Sequence, residues 1–198
     1  MFRSPAPSYP LLVDTSLYSN GSTLTNVSIS GNLTSNIQNV VWTNLVGVTA
    51  SGSSLTKTAL DNWGNAGAVS TQAIASGDGS VEFTASETNL ARMCGLGNGD
   101  AGQNYPDIEF AIQLTASNCT NGVWVFESGT FIGNVGTYSA GDKFRVAVEG
   151  GGVKYSKNGT IFYTSTVAPS YPLLVDTSLY SNGTTLTNAI IAGTLGGG

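Results

Sequence analysis

Along most of this chain apolar and polar side chains alternate, and almost nothing recurs at helical spacing. Alternation is the period of a strand with one buried face. "DIEFAIQL", Asp107 to Leu114, sets Ile108, Phe110, Ile112 and Leu114 on one side. "KFRVAVEG" does the same with Phe144, Val146 and Val148, and "SVEFTAS" puts Val81 and Phe83 either side of Glu82. "GVWVFES", Gly122 to Ser128, alternates likewise. Turn formers punctuate these runs at Gly77-Asp78-Gly79, Gly97-Asn98-Gly99-Asp100 and Gly141-Asp142. "GVKYSKNGTIFYTS" predicts a tight hairpin, with Asn158-Gly159 at the two positive-φ positions. "NCTNGVW" predicts a looser one, joining the Asp107 strand to the Val123 strand. "NVVWTNLVGV" reads as the first strand and "TLTNAIIAGTL" as the last, lying side by side. The expected fold class is all-β, an antiparallel β-sandwich.

A second pattern is superimposed on the first. "SYPLLVDTSLYSNGSTLTN", Ser8 to Asn26, returns as "SYPLLVDTSLYSNGTTLTN", Ser170 to Asn188, at an offset of 162 residues. The central stretch has no second copy. The division this implies is an N-terminal segment, residues 1–34, that duplicates the closing strand region, and a β-sandwich domain over residues 35–198. The segment carries Leu11, Leu12, Val13, Leu17, Tyr18, Leu24 and Ile29. Exposing such side chains forfeits about 1.5–3 kcal/mol each relative to burial, so the segment is expected to dock on a β-surface. Three arrangements are open: the tail of a preceding unit in an array, an arm exchanged into a neighbouring copy, or pairing of both copies within one molecule.

Composition narrows the setting. Charged residues are 10%, hydrophobic residues 40%, Gly 26 in number, and His absent. Many β-favouring and turn-forming residues with few charges suggest an extracellular or cell-surface protein. A net charge of −5 with seven basic residues argues against nucleic acid, whose phosphates need clustered Lys and Arg. No apolar run approaches the roughly 18 residues of a membrane span, so no membrane insertion is expected. Cys94 and Cys119 either pair in an oxidising compartment or remain two small buried thiols.

"YSAGDKFRVAVEGGGVKYSKNGTIFYTS" resembles a segment of concanavalin-A-like jelly rolls, the group of lectin, laminin-G and SPRY domains. "YPDIEFAIQL" and "NGVWVFESG" resemble the preceding strands of their concave sheet. More narrowly, "VVWTNLVGVTASGSSLTKTA", "WGNAGAVSTQAIASGDGSVEFTASET" and "RMCGLGNGD" resemble a domain of large repetitive bacterial surface proteins. The resemblance implies a concanavalin-like sandwich and leaves function open, because that architecture hosts many roles.

Without His, Ser-His-Asp and Cys-His catalysis and His-ligated metals are excluded. The resembled group includes glucanases with three acidic residues on alternate positions of one strand. Asp107 and Glu109 are the nearest match, but no third carboxylate follows at Gln113. They are read as solvent-side residues, and the chain as non-enzymatic. Asp100, Asn104 and Asp107, in a Gly-rich loop, are candidate calcium ligands or members of a solvated turn. Trp42 and Trp124 fall within strand patterns, as core or sheet-face residues. Trp63, flanked by Asn62 and Asn65, either stacks on a sugar ring or closes one end of the sandwich; Tyr105 carries the same two readings. The expected role is a non-catalytic structural or adhesive repeat, linking head to tail with copies of itself or adjacent units, through strand exchange into a filament. The alternative is a carbohydrate-binding, lectin-like module with polysaccharide as partner.

Overall fold

The computed structural model describes residues 36–115 and 121–197, with isolated Asn20 and Thr23. A boundary after Thr34 sets off the unit Ser35–Gly198. Leu11, Leu12, Val13, Leu17, Tyr18, Leu24, Ile29 and Cys119 lie outside the described residues. So does most of the "NCTNGVW" turn.

Among the described residues the chain forms β1 (Asn36–Asn39), β2 (Trp42–Val46), β3 (Val48–Ser51), β4 (Ser54–Lys57) and β5 (Gly67–Thr84). β6 (Arg92–Gly97), β7 (Phe110–Leu114), β8 (Gly122–Glu127) and β9 (Thr130–Thr137) follow. β10 (Lys143–Glu149), β11 (Gly152–Lys157), β12 (Thr160–Thr164), β13 (Leu173–Leu179) and β14 (Thr185–Gly197) complete the order. Among the described residues one 3-10 turn stands at Tyr105–Asp107.

Every strand pairing among the described residues is antiparallel, and β5 belongs to two layers. Its second half, Gly79 to Thr84, pairs with β10. Its first half, Val69 to Ile74, pairs with β13. The first layer runs β1-β14-β5-β10-β11-β12 and the second β2-β5-β13-β6-β7-β8-β9. Phe83, Phe144, Val146 and Tyr155 from the first layer share one buried cluster with Leu96, Ile112, Val125 and Val175 from the second. The Tyr155 hydroxyl donates to Glu127 Oε1 across that interior at 3.0 Å. Removing these facing apolar surfaces from water is the main stabilisation of the sandwich.

The alternation of "KFRVAVEG" holds, with Phe144, Val146 and Val148 buried together. The Asn158-Gly159 turn adopts φ of 50° and 81°, and β1 lies beside β14. Three expectations need correction. Gly77-Asp78-Gly79 does not separate two strands: it bends β5 as it passes between layers, and Gly77 supplies a φ of 67° there. "NVVWTNLVGV" is three strands. Val40 N–H donates to Ala189 in the first layer, whereas Val41 C=O accepts from Thr71 in the second, so the chain changes layer between adjacent residues. Ile108 does not share a face with Phe110, Ile112 and Leu114. The 3-10 turn around Pro106 rotates it into a separate cluster with Met93 and Ala111.

Two buried cations tie the closing turn to the body. Arg92, 0% exposed, donates to Leu90 O, Glu87 O and Thr184 Oγ1 and lies 3.6 Å from the Glu87 carboxylate. Glu87 in turn accepts from the Thr184 and Thr185 hydroxyls. Lys57, 1% exposed, donates to Asn62 O, Asn65 Oδ1 and Leu179 O. Burial lowers both cations' pKa values, opposed in part by Asp61 for Lys57 and by Glu87 for Arg92. Glu87→Ala leaves a buried guanidinium uncompensated and is expected to cost about 3–5 kcal/mol in urea unfolding. Lys143→Ala, which removes the exposed pair with Glu82, should cost about 1 kcal/mol or less.

Candidate functional site

In the second layer, alternation sends one set of side chains into the core and leaves the other on the outer face. Across that face the register aligns Asp176 of β13 with Gly95, Gly95 with Ala111, Ala111 with Phe126, and Phe126 with Phe131. The adjacent row holds Ser178, Met93, Gln113, Trp124 and Asn134. Two loops reach over this face, one carrying Trp63 and one Tyr105; both rings pack on the Met93, Ile108 and Ala111 cluster.

The aromatic residues form a continuous row. Centroid separations are 5.2 Å for Tyr180–Trp63, 5.6 Å for Trp63–Tyr105 and 5.7 Å for Tyr105–Phe126. The row continues with 5.5 Å for Phe126–Phe131 and 5.2 Å for Phe131–Trp124. Tilted and edge-on contacts at these separations are attractive beyond the area they bury. Phe131 is 51% exposed, and Trp63, Tyr105, Trp124 and Phe126 are half-buried. The Trp124 indole N–H has no acceptor among the described residues.

The structure therefore brings Trp63 and Tyr105 together, and leaves Asn62, next to Trp63 in the chain, exposed. Asn65 sits differently. Its carboxamide accepts from Lys57 and donates to Leu60 O, so both ends brace the loop. Phe126, Phe131 and Tyr180 were not singled out from sequence; Phe126, two positions from Trp124 in an alternating strand, was the available signal. Trp42 is buried in the core and Trp124 lies on the sheet face.

The acidic loop residues hold the loop's own frame. Asp100 accepts from the Asn44 amide at 2.7 Å, and Asn104 caps the 3-10 turn through Tyr105 N–H. Asp107 Oδ2 accepts from Ala101 and Gly102 N–H, both at 3.0 Å. Asp107 is half-buried, not a solvent-side strand residue, and burial raises its pKa against those two hydrogen bonds. Glu109 Oε2 accepts from Asn98 N–H at 2.6 Å. It also lines a cleft of about 470 Å³ with Asn98, Glu127, Ile132 and Val167. A third carboxylate, absent from the alternate positions of that strand, arrives from β13. Asp176 is 2% exposed; desolvation first, then Asp107, Asp100 and Glu109, push its pKa up to about 8. An aspartate inside the apolar run "LLVDTSL" was the signal for it. Cys94 is fully buried in the core, where desolvation pushes its thiol up.

No described protein family and no curated protein matches the chain. Solved structures with the same architecture do. The carbohydrate recognition domain of Emp46p, in metal-free form, superposes with a TM-score of 0.56 at 10% identity, over 76% of this chain and 87% of that one. The exoplasmic/lumenal domain of VIP36, in a Ca2+/Man3GlcNAc-bound form, gives 0.57 at 8% identity over 76% and 82%. A Bacillus subtilis protein of unknown function with a galectin-like fold gives 0.56 at 10% identity over 78% and 89%. At these identities the likeness establishes the fold: a concanavalin-like jelly roll.

The folded state holds the Asp176 proton up to about pH 8, while an unfolded aspartate releases it near 3.9. Stability from this group is therefore complete below about pH 4 and declines as pH rises through 8. Asp176→Asn is expected to remove that decline, giving a higher melting temperature than the parent at pH 8.5 and a smaller difference at pH 5.

Proposed function

We propose that this domain is a non-catalytic carbohydrate-binding module of an extracellular protein, and that the aromatic row on the outer face of the second layer is its platform. The row carries the proposal. Pyranose rings present apolar C–H faces that stack on aromatic side chains, while neighbouring amides such as Asn62 and Asn134 serve hydroxyl groups. Six rings in sequence suit an extended polysaccharide better than a single sugar. A carbohydrate recognition domain and a Ca2+/Man3GlcNAc-bound lumenal domain among the structures of this fold support that reading. A hydrolase is disfavoured because Asp176 is closed off from solvent and the two carboxylates that share a cleft, Glu109 and Glu127, are engaged by Asn98 N–H and the Tyr155 hydroxyl. Cellulose and chitin pull-downs, followed by a glycan array, test the platform. Phe131→Ala and Trp63→Ala should each weaken retention about 10-fold or more, equivalent to about 1.4 kcal/mol. Retention that ignores both substitutions overturns the assignment.

A second reading, a structural repeat that joins neighbouring copies head to tail, is favoured by the duplicated segment. Its C-terminal copy forms β13 and the start of β14, where Leu173, Val175, Leu179 and Leu186 are fully buried. The Thr177 hydroxyl there bonds both Ala68 N–H and C=O, and Ser181 Oγ accepts from Ala91 N–H. Asn182 bonds Asp61, Thr58 and Ala59. Leu11, Val13, Thr15, Leu17, Ser19, Asn20 and Leu24 repeat these residues at the same spacing. The N-terminal segment thus repeats the sequence of the closing strand, the condition for exchange between copies. Light scattering on a variant lacking residues 1–33 should report a smaller assembly than the parent; an identical assembly state contradicts this reading.

A further inference from the structure

We propose that the slot filled by β13 and β14 accepts either copy of the duplicated segment, and that closure by the N-terminal copy of the same chain frees the C-terminal copy as an arm for a second molecule. In the structure the C-terminal copy fills the slot, with β13 between β5 and β6 and β14 along β5, β4 and β1. What the slot selects is the set of side chains it buries. Leu173, Val175, Thr177, Leu179, Leu186 and Ile191 are each 1% exposed or less. Leu11, Val13, Thr15, Leu17, Leu24 and Ile29 repeat them unchanged at an offset of 162 residues. The polar anchors repeat as well. Ser178, Ser181 and Asn182 find partners in Gln103, Ala91 and Thr58, and Ser16, Ser19 and Asn20 offer the same groups. Ser22 stands in place of Thr184 and keeps the hydroxyl that serves Arg92 and Glu87.

Chain length permits the alternative closure. β1 pairs with β14 in the register Asn36↔Gly193 to Asn39↔Ile190. Shifted by the 162-residue offset, that register becomes Asn36↔Gly31 to Asn39↔Ser28, which leaves Asn32, Leu33, Thr34 and Ser35 to connect the two strands. A loop of that length falls within the roughly 2–5 residues usual for a hairpin, and antiparallel neighbours are joined directly by such loops. The N-terminal copy therefore reaches the slot from the start of its own chain with β1 left in place. Two differences set the balance between the closures. Val27 stands where Ala189 is fully buried, which adds two methyl groups to a filled interior. Residues 32–35, used as the loop, also give up the ladder that Leu195, Gly196 and Gly197 make with β5. Both differences favour the closure seen in the structure and make the other a minor state, from which a neighbouring molecule selects. Uptake of the freed arm by that neighbour rests on the head-to-tail reading; the exchange of closures within one molecule stands apart from it.

In the full chain, Val175→Asp puts a carboxylate in the core only while the C-terminal copy stays seated. With the N-terminal copy taking its place, the variant should still melt cooperatively by circular dichroism, about 2–12 °C below the parent. That temperature should not depend on protein concentration. Val13→Asp alone should melt with the parent, and the two changes together should abolish the transition, because neither copy then suits the slot. Adding Val27→Ala to Val175→Asp should recover part of the lost temperature. Leu179→Asp and Leu17→Asp repeat the design at a second buried position. Loss of the transition in Val175→Asp and Leu179→Asp on their own overturns the proposal, as does a Val175→Asp melting curve that the further change Val13→Asp leaves untouched. A rescue that appears only as protein concentration rises, with light scattering reporting dimers or larger species, overturns closure within one molecule and leaves the head-to-tail reading standing.

Discussion

The seating of β13 between β5 and β6 is the contact on which the rest of the domain depends. Inward, Leu173, Val175 and Leu179 join the shared core. Outward, Ser178 Oγ donates to Gln103 O of the 98–109 loop, and Asp176 lies beneath that loop. One strand thereby fixes the sandwich interior and positions the covering loop that carries Tyr105. Neighbouring Thr177 bonds the Ala68 backbone in both directions, which locks the register. A slip of one residue would exchange the two faces, sending Asp176 into the core and Val175 under the loop.

The outer face concentrates features that a purely structural sheet would avoid. Exposed and half-buried rings forgo part of the stabilisation that burial offers, and a solvent-excluded carboxylate costs more than an amide or an apolar side chain would. Elsewhere single apolar residues such as Ile37 and Ile161 are exposed, but no comparable row of rings forms among the described residues, and the buried cations Arg92 and Lys57 find acceptors for their charge. Local departures of this kind collect where binding is the task.

How legible this was in the sequence follows from the range of the interactions involved. Alternation made β8, β10 and β11 visible because a strand's two faces are written in adjacent residues, and the Asn158-Gly159 hairpin is local by construction. The bend of β5 was hidden: glycines that end a strand and glycines that bend one look alike until the partners on both sides are known. β1 and β2 merged for the same reason, since the change of layer at Val40–Val41 is set by Ala189 and Thr71, far along the chain. At the outer face, Trp63 and Tyr105 stood out as aromatics among polar turn formers. Phe131 and Tyr180 join them only through long-range pairing. Asp176 comes under the influence of Asp107 and Glu109 only because β13 and β7 flank β6, which no spacing rule expresses.

The central claim is that the outer face of the second layer, and not the core or the far layer, receives a saccharide. The three tryptophan indoles report on it separately, because Trp63 and Trp124 lie in the ring row while Trp42 is buried in the core. In a nitrogen-15 correlation spectrum titrated with cellohexaose or chitohexaose, the indole signals of Trp63 and Trp124 should move and that of Trp42 should stay. Movement of Trp42 alone, or of no indole with either oligosaccharide, would contradict the claim.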